Sequence, residues 1–153
     1  MVKGIYHINV NVTNFARSLA FYELLGFRVV RDLSEVGNTY LERGLRMPQP
    51  RGRAALLQCG DDKRSTRLDL IEWKSPKPEG KPYPHLWHVG MARIALVTDK
   101  LQELCDKVKA ANLEGVEFFS EPQVFPQKDG KGGESFVCFT DPDGTVIELI
   151  QFG

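Results

Sequence analysis

The 153-residue chain has three cysteines, no excess of either charge and no apolar run long enough to cross a bilayer. Each shortage excludes a class. Cys59, Cys105 and Cys138 are odd in number, far apart and set in apolar stretches, so they read as free core thiols rather than a disulfide framework. Twenty basic residues balance twenty acidic ones, which leaves no general attraction to nucleic acid or to an anionic membrane. Without a spanning segment, and with "MVKGIYHINV" passing straight into a strand pattern, the expectation is a cytoplasmic protein without leader or anchor. What is present, 42% hydrophobic residues in a chain of this length, suits one compact domain or two small halves.

The chain repeats itself once. "GIYHINVNVTN" (4–14) resembles "GMARIALVTDK" (90–100), which sets His7 on Arg93 at an offset of 93 − 7 = 86. "STRLDLIEW" (65–73) resembles "GTVIELIQF" (144–152), which sets Asp69 on Glu148 at an offset of 148 − 69 = 79. Loop lengths account for the difference between the offsets. The expected division is a first module over 1–74, a proline-rich linker over 75–88 ("SPKPEGKPYPHLWH") and a second module over 89–153.

Each module opens on an alternating strand. In the first, His7, Asn9 and Asn11 take one face while Ile8, Val10 and Val12 take the other. A helix follows, with Asn14 as its cap, Phe15, Leu19, Tyr22 and Leu25 as its apolar stripe, and Gly26 just past its end. The second helix carries Leu101, Leu104, Val108 and Ala111, capped by Thr98 or Asp99. Three further strands complete each module, and "DPDG" (141–144) is turn chemistry. Residues 33–52 read as a long polar loop with one helical turn around "TYLERGL". The fold class is α+β: two βαβββ modules, each a curved antiparallel-type sheet backed by a helix, forming a shared cavity. His7, Asp69, Arg93 and Glu148 are the ionisable residues at the matching positions of four central strands. Glu148 poses the sharpest question, because an ionised carboxylate between Ile147 and Leu149 needs a partner.

This pattern resembles the vicinal-oxygen-chelate superfamily, also called the glyoxalase/bleomycin-resistance/dioxygenase superfamily. "RSLAFYELLGF" (17–27) and "FTDPDGTVIELI" (139–150) carry the resemblance most specifically. The superfamily includes lyases, epimerases, dioxygenases, thiol transferases and metal-free binding proteins, so the resemblance does not fix a reaction. It implies a divalent metal (Zn, Mn, Ni or Fe) held by His7, Asp69 and Glu148. Arg93 departs from the pattern by standing where a second histidine is expected, and a guanidinium cannot ligate a cation.

Two site readings follow. In one, a metal binds His7, Glu148 and Asp69 and leaves a position for substrate. In the other the protein is metal-free, and Arg93 neutralises Glu148, Asp69 or both. His85 and His88 are alternative ligands from the linker, against the plainer expectation of surface histidines. Trp73 and Trp87 either wall a ligand cavity or simply pack, and Asn9 and Asn11 offer hydrogen bonds to a ligand. "QKDGKGGES" (127–135) lacks phosphate-loop context and reads as a hairpin or lid. The implied function is a glyoxalase-like lyase or isomerase that moves a proton in a small carbonyl-containing or anionic metabolite. Glu148 would be base or ligand, His7 ligand or acid/base partner, and Arg93 the holder of an anionic oxygen. The rival is a non-catalytic small-molecule binding protein; an extradiol dioxygenase suffers most from the missing histidine. A homodimer is expected from the exposed sheet edges.

Overall fold

The computed structural model describes residues 1–127 and 133–153 and divides into two units, Met1–Gly80 and Lys81–Gly153. The first unit runs β1 (His7–Asn11), α1 (Phe15–Leu24), β2 (Arg28–Val36), α2 (Thr39–Leu45), β3 (Arg51–Gln58) and β4 (Arg67–Ser75). The second runs β5 (Ile94–Val97), α3 (Leu101–Ala111), β6 (Gln123–Pro126), β7 (Gly133–Thr140) and β8 (Val146–Gln151). Both sheets have four strands, in the orders β1-β4-β3-β2 and β5-β8-β7-β6.

The sheets are mixed rather than antiparallel throughout. The first strand of each unit lies parallel to the last, because the intervening helix and hairpin carry the chain back to the same end before it pairs. The two registers coincide under the sequence offsets: Asn9 faces Asp69, and Ala95 faces Glu148. Just beyond the strands, Val12 donates its N–H to the Ile71 carbonyl at 2.8 Å and Thr98 donates to Ile150 at 2.9 Å. The repeat is therefore a repeat of hydrogen-bond register.

Both helices are held by their last strand in the same manner. Phe15, the first residue of α1, donates its N–H to Glu72 Oε2 at 2.8 Å. Leu101, the first residue of α3, donates to Gln151 Oε1 at 3.0 Å. Glu72 and Gln151 are equivalent under the offset of 79, so each module satisfies an orphan helix donor from one repeat position. Asn14 caps α1 through its side chain, bound by Arg17 N–H at 3.0 Å, and Gly26 takes φ +93° past the helix end. The expected cap of α3 shifts: Lys100 is the capping residue, and Thr98 Oγ1 accepts the Lys100 N–H instead.

The 33–52 segment is more ordered than its polarity suggests. β2 continues to Val36 through two register shifts, and Asp32 supports the second by accepting the Ser34 N–H at 2.6 Å where Ser34 takes φ +46°. A full α2 follows, capped by Asn38. In the "DPDG" turn the buried Asp141 accepts N–H groups from Asp143 and Thr145, both at 2.9 Å, which brings β7 back into β8. In the first unit Val10, Val12, Phe21, Tyr22, Leu57, Leu68 and Leu70 are buried, and Ala54, Ile71 and Trp73 form a second buried cluster. Cys105 and Cys138 are buried free thiols and Cys59 is exposed. The lid expectation for 127–135 falls mainly on residues outside those described.

Candidate functional site

With the helix covering one face of each sheet, alternation turns His7, Asn9, Asn11 and Asp69 to the other face in the first unit. The equivalent positions in the second unit are Arg93, Ala95, Val97 and Glu148. Each unit thus sets a basic and an acidic side chain at these matching positions of its open face.

The second pair is closed. Arg93 Nε donates to Glu148 Oε2 in a direct ion pair, which gives Glu148 its partner. The carboxylate side chain is 10% exposed while the guanidinium is 44% exposed, so water reaches the arginine and hardly reaches the acid. The pairing with Glu148 raises the Arg93 pKa further, against a smaller opposing effect of burial. Cys138 sits opposite Glu148 in the β7–β8 register, and burial pushes its thiol up, the Glu148 charge adding to that.

The first pair is open. His7 Nε2 lies 3.9 Å from Asp69 Oδ2, too far for a hydrogen bond. Asp69 Oδ1 is buried and has no hydrogen-bond partner among the described residues. Burial raises the Asp69 pKa, and His7 and the Asn9 amide only partly offset this. Asn9 also donates from Nδ2 to the Asp69 backbone carbonyl at 3.2 Å. Asn11 is not free for a ligand through its oxygen, because Trp73 Nε1 donates to Asn11 Oδ1 at 3.0 Å. That bond directs the Asn11 NH2 away from Trp73.

The other candidates lie elsewhere. His85 stacks on Trp87 with ring centroids 4.2 Å apart, and His88 stacks on Tyr83 at 5.0 Å, in an exposed aromatic ladder. A groove of 680 Å³ in the first unit is lined by Glu35, Val36, Arg51, Arg53, Glu72 and Lys74 and holds none of the predicted residues. Within it Lys74 is bound to Glu72, and Arg53 is bound to Asp32 outside the groove.

The chain matches the model of the Glyoxalase/Bleomycin resistance protein/Dioxygenase superfamily over residues 4–149. It belongs to that superfamily. A glyoxalase family protein from Bacillus cereus has the same fold with a TM-score of 0.83 at 12% identity, covering 99% of this chain and 95% of that one. A glyoxalase I mutant from Zea mays aligns at 0.63 and 21% identity, over 95% of this chain and 45% of the longer one. The fosfomycin resistance protein FosX from Listeria monocytogenes, solved with Mn(II) and sulfate, aligns at 0.56 and 16% identity over 100% and 95%. No curated protein matches the chain. At identities this low the structural likeness shows the fold alone.

Metal ligation, common in the superfamily, meets an obstacle in this donor set. Glu148 already receives a permanent cation, and a second cation beside Arg93 would be repelled. His7 and Asp69 supply two donors in the first unit, and no group of three His, Cys, Asp or Glu side chains able to hold a metal comes together among the described residues. The residues around Glu148 do not fit a resident metal.

The sequence offsets singled out the four ionisable residues that occupy matching positions of the open faces, His7, Asp69, Arg93 and Glu148. They did not single out Asn9 or the Trp73–Asn11 bond, although alternation had already put Asn9, Asn11 and His7 in one row.

Proposed function

We propose that the protein is a glyoxalase-type lyase or isomerase that moves a proton next to the carbonyl of a small metabolite, with Asp69 as base and His7 as its partner. One observation carries this reading: Asp69 has a buried, unpartnered oxygen and a raised pKa beside a histidine that does not yet bond to it. A carboxylate of raised pKa is a stronger base than an ordinary one. Asp69 takes the proton from the hydroxyl-bearing carbon next to the carbonyl, and the C–H electron pair moves onto the carbonyl oxygen, which takes a proton from His7 to give an enediol. His7 then takes back the proton of the neighbouring hydroxyl as that oxygen becomes the new carbonyl, and Asp69 returns its proton to the former carbonyl carbon, so the protons balance and the reaction is redox-neutral. The geometry supports Asp69 over Glu148 as base, because Glu148 is already bound by Arg93. Glu148 then acts by holding the guanidinium in place.

The experiment is solvent-deuterium incorporation into a panel of α-hydroxycarbonyl compounds, followed by NMR. Wild type should exchange the carbon-bound proton, and Asp69→Asn should lose about 10²–10⁴-fold in rate. Exchange that is equally fast in Asp69→Asn would overturn the assignment. A second reading, binding without turnover, is favoured by the exposed apolar surface around the closed Arg93–Glu148 pair, and binding of the panel without any exchange would select it.

A further inference from the structure

The open faces of the two sheets are finished differently. In the first unit Ile71 and Trp73 are buried in a cluster with Ala54, and Leu33, Val36 and Met47 pack over it; Trp73 is 7% exposed. Their equivalents in the second unit under the offset of 79 are Ile150 and Phe152, and Phe152 is 56% exposed. Asn11, bound by Trp73, corresponds to Val97, which is 70% exposed. The second unit has no counterpart of α2 and Met47 among its described elements, and there Val97 and Phe152 are exposed while Ile150 and Phe136 are half-buried. Phe136 faces Ile150 across β7–β8, and Phe125 stacks on Phe136 with centroids 5.1 Å apart, extending the same face.

An apolar surface next to a half-exposed cation suits an amphiphilic anion. Arg93 spends Nε on Glu148, and its Nη1 and Nη2 groups carry further donors in the fork that binds a carboxylate end-on. Glu148, 10% exposed, accepts from Nε and so orients the guanidinium with its Nη groups left for a ligand. The other carboxylate on this face, Glu134, is in register with Phe125 toward the sheet edge. We infer that this face of the second unit binds a small aryl or alkyl carboxylate, with its carboxylate on the Arg93 fork and its apolar body across Val97, Ile150, Phe136 and Phe152. This goes beyond the proton-transfer reading by assigning a ligand class to the second unit's own face, and its binding is measured apart from turnover.

The test is isothermal titration of the full chain with phenylacetate, acetate and 2-phenylethanol, which separate the charge from the ring. Phenylacetate should bind at least about tenfold more tightly than either other probe, since only it uses both parts of the face. The double variant R93Q/E148Q removes both charges at near-constant shape; it should lower phenylacetate affinity about tenfold and leave 2-phenylethanol unchanged. Val97→Asn, which copies the first unit's residue at an exposed position, should weaken phenylacetate severalfold with circular dichroism unchanged. Phenylacetate binding that is absent, or unaffected by R93Q/E148Q, overturns the inference. So does sedimentation showing a dimer that Val97→Asn dissociates, because the face would then belong to a second copy of the chain. Phenylacetate binding with no deuterium exchange sinks only the proton-transfer reading; exchange without phenylacetate binding sinks only this one.

Discussion

The two units solve one problem of charge on a sheet in opposite ways. In the first, the basic partner is a titratable imidazole held 3.9 Å away, and the acid keeps a buried oxygen without a partner among the described residues. In the second, the basic partner is a permanent cation bound directly to the acid. The registers are equivalent, so backbone placement does not explain the difference. Side-chain reach and charge do. Glu and Arg are each long enough to meet across parallel strands, whereas Asp is a methylene shorter than Glu and His shorter than Arg. A loose titratable pair suits proton movement, and a closed permanent pair suits holding an anion. Duplication of a module thus permits division of labour between two copies of one position.

The comparison breaks first if the second pair can be made like the first. Arg93→His would set an imidazole beside Glu148 and Cys138, three donors of the kind zinc accepts. Zinc should then stabilise the variant by about 2.7 kcal/mol at a hundredfold excess over its dissociation constant. Wild type should show the same melting temperature with zinc or chelator. A wild type that loses stability on chelation would mean that Glu148 serves a metal despite Arg93.

Next in size is removal of each base. Arg93→Ala leaves a nearly buried carboxylate without its cation and should cost about 1–3 kcal/mol in urea unfolding. That is below the about 3–5 kcal/mol of a fully buried pair, because water already reaches the arginine side. His7→Ala should cost under about 1 kcal/mol, since no hydrogen bond is lost. Equal costs would erase the distinction between closed and open pairs.

A smaller effect sharpens the shared part of the design. Glu72→Ala and Gln151→Ala should each lose about 1 kcal/mol, the worth of a helix cap, in the same unfolding measurement. Glu72→Ala should cost slightly more, because a negative charge at a helix N-terminus gains from the dipole. A neutral Gln151→Ala would show that its bond to Leu101 is incidental.

The smallest effect concerns pH. Burial raises the Asp69 carboxyl pKa, so the folded protein binds that proton more tightly than the unfolded chain does. Its ionised form therefore costs stability above the raised pKa, and the cost is relieved as pH falls through it. Asp69→Asn should be more stable than wild type near neutral pH, with the gap closing on acidification. Melting curves across the acid range would show it, and a gap that widens as pH falls would reverse the sign and remove the proposed strong base.

The sequence by itself determined the module. Period-two alternation in 4–14, the helix stripe after Asn14 and the two offsets placed the central strands and the four charged positions, because strand and helix periods are local properties of the chain. It did not determine the strand sense, the order hidden in 33–52 or the finishing of each open face. Those depend on where residues distant in sequence come to rest. Met47 covers Trp73 in one unit, and nothing described covers Phe152 in the other. Nor did it choose between Arg93 and a metal as the partner of Glu148, since residue types specify which partners are chemically allowed. Only the tertiary structure decides which comes within reach: the guanidinium meets the carboxylate, while the imidazole in the equivalent place stops short.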